Sequence, residues 1–99
     1  MAEIRVRSSE LKKKADELAM LNSKYRMEVQ KMVQYELQLA GMWEGDAQKA
    51  FRQAFNNDKQ KMDIFAQTID KYVEALRQDA TTYEQAESRA HQIGTTRKS

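Results

Sequence analysis

The sequence predicts an all-α fold: an antiparallel helix-turn-helix hairpin that dimerises into a four-helix bundle. Three observations point there. Apolar residues recur at alternating steps of four and three through both halves of the chain, the period of helices that pack along a narrow seam. Proline is absent, and two of the three glycines, Gly41 and Gly45, sit together where a single turn would interrupt an otherwise continuous helical pattern. The apolar faces on both sides of that turn are wider than a two-stranded seam, so a lone hairpin would leave a large patch open to water.

The 99 residues form one domain, since a chain of this size is too short to divide into two cores. The first helix is expected over about residues 8 to 41. Ser8 or Ser9 would cap its free amides, with Glu10 placed favourably in the first turn. Its seam reads Leu11, Ala15, Leu18, Asn22, Tyr25, Val29, Met32, Glu36 and Leu39. The turn follows at about 42 to 45, with Gly41 expected in the left-handed conformation that ends a helix and Gly45 allowing the chain to reverse. Trp43 extends the first seam by one position, where its indole would cap the open end of the hairpin. The second helix is expected over about 46 to 93, started by Asp46 as an N-cap to the amides of Gln48 or Lys49 and stopped by Gly94, leaving 94–99 as a flexible tail. Its seam reads Phe51, Phe55, Asp58, Met62, Phe65, Ile69, Tyr72, Leu76, Asp79 and Tyr83, and continues to Ala86, Ala90 and Ile93.

An antiparallel hairpin centred on this turn pairs residues whose numbers add to about 87, such as Leu18 with Ile69 and Leu11 with Leu76. The expected core of hairpin and dimer is therefore Leu11, Leu18, Tyr25, Met32, Leu39, Phe51, Phe55, Met62, Phe65, Ile69, Tyr72 and Leu76. Leu21, Val33, Leu37, Ala66, Val73 and Ala80 widen the apolar faces. The polar seam residues Asn22, Glu36 and Asp58 meet apolar partners in this register, which places them at the seam edge. Asp79 falls opposite Ser8, so Tyr83 to Ile93 is expected to have no first-helix segment beside it.

Composition removes several classes of function. The 17 basic and 15 acidic residues are interleaved, and the only basic clusters are Lys12–Lys14 and the terminal "TTRKS", so nucleic-acid binding is not expected. With a mean hydropathy of −0.88, apolar runs stay far below the roughly 20 residues needed to span a bilayer, so no membrane insertion is expected. The opening "MAEIRVRSSELKKK" lacks the apolar segment of a cleavable signal peptide. There is no cysteine, and His91 is the only histidine, which leaves no nucleophile–base pair and no metal-ligand spacing. An enzyme, a cofactor and a metal are accordingly not expected, and His91 reads as a solvated tail residue. Met32 and Met62 lie on the seams and read as core filling.

Trp43, Glu44 and Gly45, followed by Ala47 and Phe51, resemble the turn of the hundred-residue WXG family, the early-secreted-antigen-like proteins. The resemblance covers nearly the whole chain, from "IRVRSSEL", similar to the family's extended lead into its first helix, to "YEQAE". In that last stretch Tyr83 and Glu87 resemble the family's C-terminal export signal, a tyrosine followed four residues later by an acid. The resemblance implies a non-enzymatic, virulence-associated substrate or adaptor of type VII secretion, a route of Gram-positive bacteria driven by a membrane ATPase. Such a protein folds in the cytoplasm and is secreted as a folded dimer without a cleavable signal peptide. It also implies a composite signal, in which the Trp-Xaa-Gly turn of one chain lies near the C-terminal segment of its partner. Because this chain carries both motifs, a homodimer is expected, a heterodimer with a related WXG-type chain being the other arrangement. The competing reading from the residues alone is a cytoplasmic helical adaptor or chaperone that binds a partner without being exported.

Overall fold

A computed structural model describes residues 7–97. The extended lead at residues 1–6, the last two residues of the tail and the side-chain roles given to His91 and Ile93 lie outside the described residues. Two helices, α1 (Ser8–Ala40) and α2 (Asp46–Arg97), form an antiparallel hairpin with extents of 82 × 21 × 20 Å. At about 1.5 Å per residue the 52 residues of α2 account for the long dimension, and the 33 of α1 cover roughly two thirds of it.

The helix ends depart from the sequence expectation in four places. At the start of α1, Arg7 is the extended capping residue and its carbonyl accepts from the Leu11 amide at 3.0 Å. Ser8 and Ser9 are thus already helical, too late to cap, and the Ser8 hydroxyl turns to α2. At the other end of α1, Gly41 is right-handed (φ −74°, ψ −12°), and the helix closes with a tightened last turn in which the Met42 amide donates to the Leu39 carbonyl. Among the described residues only Gly45 takes a positive φ, 107°. Its carbonyl accepts from the Lys49 amide at 3.2 Å, so Gly45 holds the N-cap place and Asp46 follows as the first helical residue, where its charge still suits the helix dipole. Finally, α2 runs through Gly94 to Arg97. A glycine costs a helix about 1 kcal/mol but stops it only where the backbone turns left-handed.

Packing between the helices uses small side chains. Ala15, Asn22, Val29 and Glu36, seven apart on α1, are buried, as are Ala66, Val73 and Ala80, seven apart on α2; Asn22 meets Ala66 and Glu36 meets Arg52. None of the twelve expected core residues is fully buried within the single hairpin. Leu11, Leu18, Tyr25, Phe51, Phe55, Met62, Ile69 and Leu76 are half-buried, while Met32, Leu39, Phe65 and Tyr72 are exposed. The reason is geometric. With only one partner, α2 turns its small apolar side chains into the closest approach and lets the bulky ones line one side of the seam, while α1 also places Asn22 and Glu36 on the buried line.

The cross-helix register is also shifted. Ser8 meets Glu87 and not Asp79, and Asn22 reaches Ala66 and Asp70 and not Phe65. Helical side chains lean toward their own N-terminus. In an antiparallel pair they lean past one another, so contacts join residues further along both helices than the backbone register alone implies. Residues 83–87 of α2 therefore do have α1 beside them, contrary to the expectation of an unpaired tail from Tyr83 onward.

Candidate recognition surfaces of the hairpin

The turn is held from α2. Gln48 donates from Nε2 to the Ala40 carbonyl at 2.7 Å, satisfying one of the carbonyls left free at the end of α1. Trp43 packs edge-on against Phe51 with ring centroids 5.5 Å apart, yet it remains 42% exposed. It is thus half cap and half surface, with exposed Met42, Glu44 and Gly45 beside it.

Along the seam the two sides differ. On one side Tyr25 of α1 meets Phe65 of α2 edge-to-face at 5.5 Å, and Leu18, Met32, Met62, Ile69, Tyr72 and Leu76 share this side by helical spacing. Phe65 and Tyr72 are 55% and 58% exposed there. The other side is closed by charge: Lys12 with Glu84, Arg77 with Asp16 at 3.0 Å, and Arg26 donating through both terminal nitrogens to Asp70 at 2.6 and 3.2 Å. The hydrogen bond from Arg26 holds the Asp70 carboxyl below its ordinary value, helped by Asn22, and the same bond raises Arg26.

Two polar residues occupy the buried line itself, not the seam edge expected for them. Asn22, 4% exposed, donates to the Ala66 carbonyl at 2.9 Å and to Asp70 Oδ1 at 2.8 Å. Glu36, 5% exposed, accepts from Arg52 Nε at 2.9 Å. Among the described residues no fully buried side-chain nitrogen or oxygen lacks a partner, so these groups keep the seam polar-satisfied and in one register.

At the far end, Tyr83 is 45% exposed, Glu87 is exposed, and Ser8 donates to Glu87 Oε2 at 3.3 Å. The structure does not bring the two expected motifs together within one chain. Phe51, under Trp43, and Tyr83 are separated by 32 residues of one straight helix, about 48 Å. Sequence reasoning gave Ser8, Lys12 and Gln48 other places, as a cap, part of a basic cluster and a capped amide, because the contacts they make lie across the hairpin and no local pattern marks them.

The groove between the helices at Tyr25, Arg26, Val29, Gln30, Met62, Asp63 and Ala66 encloses about 110 Å³, below the roughly 300 Å³ at which small-molecule pockets begin. Among the described residues no group of three or more acidic, histidine or cysteine side chains could hold a metal, and no helix is long and apolar enough to cross a membrane.

The family model described as WXG100, proteins of 100 residues with WXG, matches residues 3–88. A solved structure, that of a mutant of the secreted protein EsxB from Bacillus anthracis str. Sterne, aligns with a TM-score of 0.74, covering 85% of this chain and 97% of that one at 24% identity. At that identity the likeness is one of fold. No curated protein matches this sequence significantly.

Proposed function

The chain belongs to the WXG100 family, and from that membership we propose that it is a substrate or adaptor of type VII secretion, exported as a folded homodimer and recognised through its turn and its C-terminal Tyr83–Glu87 pair. Proteins of this family form dimers and are not known as enzymes. The observation that carries the reading is the one-sided seam. Apolar side chains of both helices line one side while ion pairs close the other, so a second hairpin has one face to cover and the four helices become a bundle. Burying that face on an identical chain removes the exposed rings of Phe65 and Tyr72 from water.

An antiparallel partner also resolves the separation of the motifs. Trp43 and Tyr83 lie near opposite ends of one hairpin, so a head-to-tail neighbour places the turn of each chain beside the C-terminal segment of the other. The composite surface so formed is the one offered to the membrane ATPase of the secretion system. The EsxB structure is that of a secreted protein, and its fold likeness supports the export reading.

Secretion from a host carrying the system tests the proposal. The comparison is between the full chain, Trp43→Ala, and a chain lacking residues 82–99. No residue from 81 to 90 is buried in the single hairpin, so the truncated chain is expected to keep most of the hairpin's stability, and on this proposal to keep its dimer while losing export. Normal export of both variants would refute the export assignment and favour a cytoplasmic adaptor. A monomer by light scattering at micromolar concentration would remove the bundle.

A further inference from the structure

Resting on the reading of Tyr83 and Glu87 as an export signal, we propose that the first two turns of α1 position that signal. Ser8 and Lys12 act as positioning residues that keep residues 83–87 helical against α1, so that the C-terminal part of the composite surface a receptor reads is held by the N-terminal end of its own chain.

The segment has little else to hold it. Ala80 is the last buried residue described on α2, and residues 81–90 are all exposed. Thr81 and Thr82 are weak helix formers. Their hydroxyls donate back to the Arg77 and Gln78 carbonyls at 3.0 Å each, a geometry that loosens the helical ladder. A helix continued past its last packed residue through such a pair frays unless side chains fasten it.

The fastening comes from α1. Lys12 forms an ion pair with Glu84, and the Ser8 hydroxyl donates to Glu87 Oε2 at 3.3 Å. Ser8 and Lys12 are one turn apart on α1, and Glu84 and Glu87 are three residues apart on α2, so both contacts lie on one line along the hairpin. The charges agree, since acidic side chains of α2 meet the positive end of the α1 dipole and the first lysine of the Lys12–Lys14 cluster. Tyr83, beside Glu84, is left 45% exposed. The clasp therefore presents the ring and sets the tyrosine and the acid one helical turn apart. A receptor that binds the helical form loses less to ordering when the segment is already helical. Both contacts are solvent-exposed and weak, so the receptor can take Glu87 from Ser8 at little cost.

Amide hydrogen exchange across residues 81–90 of the full-length protein, together with its secretion, tests this. Lys12→Glu should reduce protection of amides 83–87 by roughly 1.5- to fivefold, the range that one exposed contact controls, and secretion should fall with it. The double variant Lys12→Glu/Glu84→Lys should restore both, and Ser8→Ala should show the smaller loss. Unchanged protection in Lys12→Glu, lost protection with wild-type secretion, or failure of the charge swap to restore either would overturn the proposal. Tyr83→Ala and Glu87→Ala, run alongside, separate the two levels. If they block secretion while the Lys12 variants are secreted normally, only the positioning role fails. If they too are secreted normally, the signal reading fails and the positioning role with it.

Discussion

Replacing Gly45 with alanine asks whether the second glycine of the turn is required for its backbone alone. Its φ of 107° lies beyond the narrow left-handed well that L residues enter. A Cβ added there meets nothing within 4 Å, so the substitution brings no clash and its cost is purely conformational. Holding a non-glycine residue in such a region costs about 1–3 kcal/mol. Alanine also narrows the unfolded chain, which returns about 0.4–1 kcal/mol. The net expectation is a loss of up to about 2.5 kcal/mol, and of about 1 kcal/mol at the middle of the two ranges. Gly41→Ala is the matched control. Gly41 is right-handed, and an added Cβ would lie 3.5 Å from the Gln38 carbonyl oxygen, an ordinary contact, so this variant should be neutral or slightly more stable. Thermal unfolding followed by far-ultraviolet circular dichroism is the assay, at one protein concentration because a dimer's midpoint depends on it. Each kcal/mol corresponds to about 4–8 °C in a domain of this size. If the two variants lose stability equally, or Gly41→Ala alone loses it, the turn does not depend on a positive φ at Gly45.

Asn22→Ala removes the bonds to the Ala66 carbonyl and Asp70 and should cost about 1–3 kcal/mol in urea unfolding; a cost of a few tenths would show that the buried amide does not hold the seam. Ala80→Leu forces a larger side chain into a fully buried position and should cost about 1–3 kcal/mol, whereas undiminished stability would mean the helices are not in close approach there. Asp70 titrates below its ordinary 3.8 when folded, so its contribution is fully present above that value and disappears as pH falls through the lowered folded value. Acid titration of stability should therefore be flatter below about pH 4 in Asp70→Asn than in the parent, and identical slopes would refute the linkage. Phe65→Ala and Tyr72→Ala should weaken dimerisation more than they destabilise the hairpin, because both rings are more than half exposed in the single chain; dilution series by light scattering would show no change if that face is not the dimer face.

Much of the fold was legible in the residues. The four-three recurrence and the Gly41–Gly45 interruption specify two helices and one turn, because apolar periodicity and backbone freedom are local properties carried by the residues themselves. The tryptophan-glycine turn and the Tyr83–Glu87 spacing were equally readable, being short patterns in one stretch of chain. What the sequence could not decide is which of two adjacent stripes on α2 faces α1. Phe65 and Ala66 are neighbours and both apolar, and a roll of one residue exchanges them. The structure chose Ala66, Val73 and Ala80, since small side chains permit the closer approach, and left the aromatic stripe outward. It also decided which glycine reverses the chain, a matter of φ at two residues with the same side chain. Tertiary structure alone joined Ser8 to Glu87 and Lys12 to Glu84 across more than seventy positions. Those contacts follow from the opposite lean of side chains on antiparallel helices, a vector property of the packed pair that no single helix possesses.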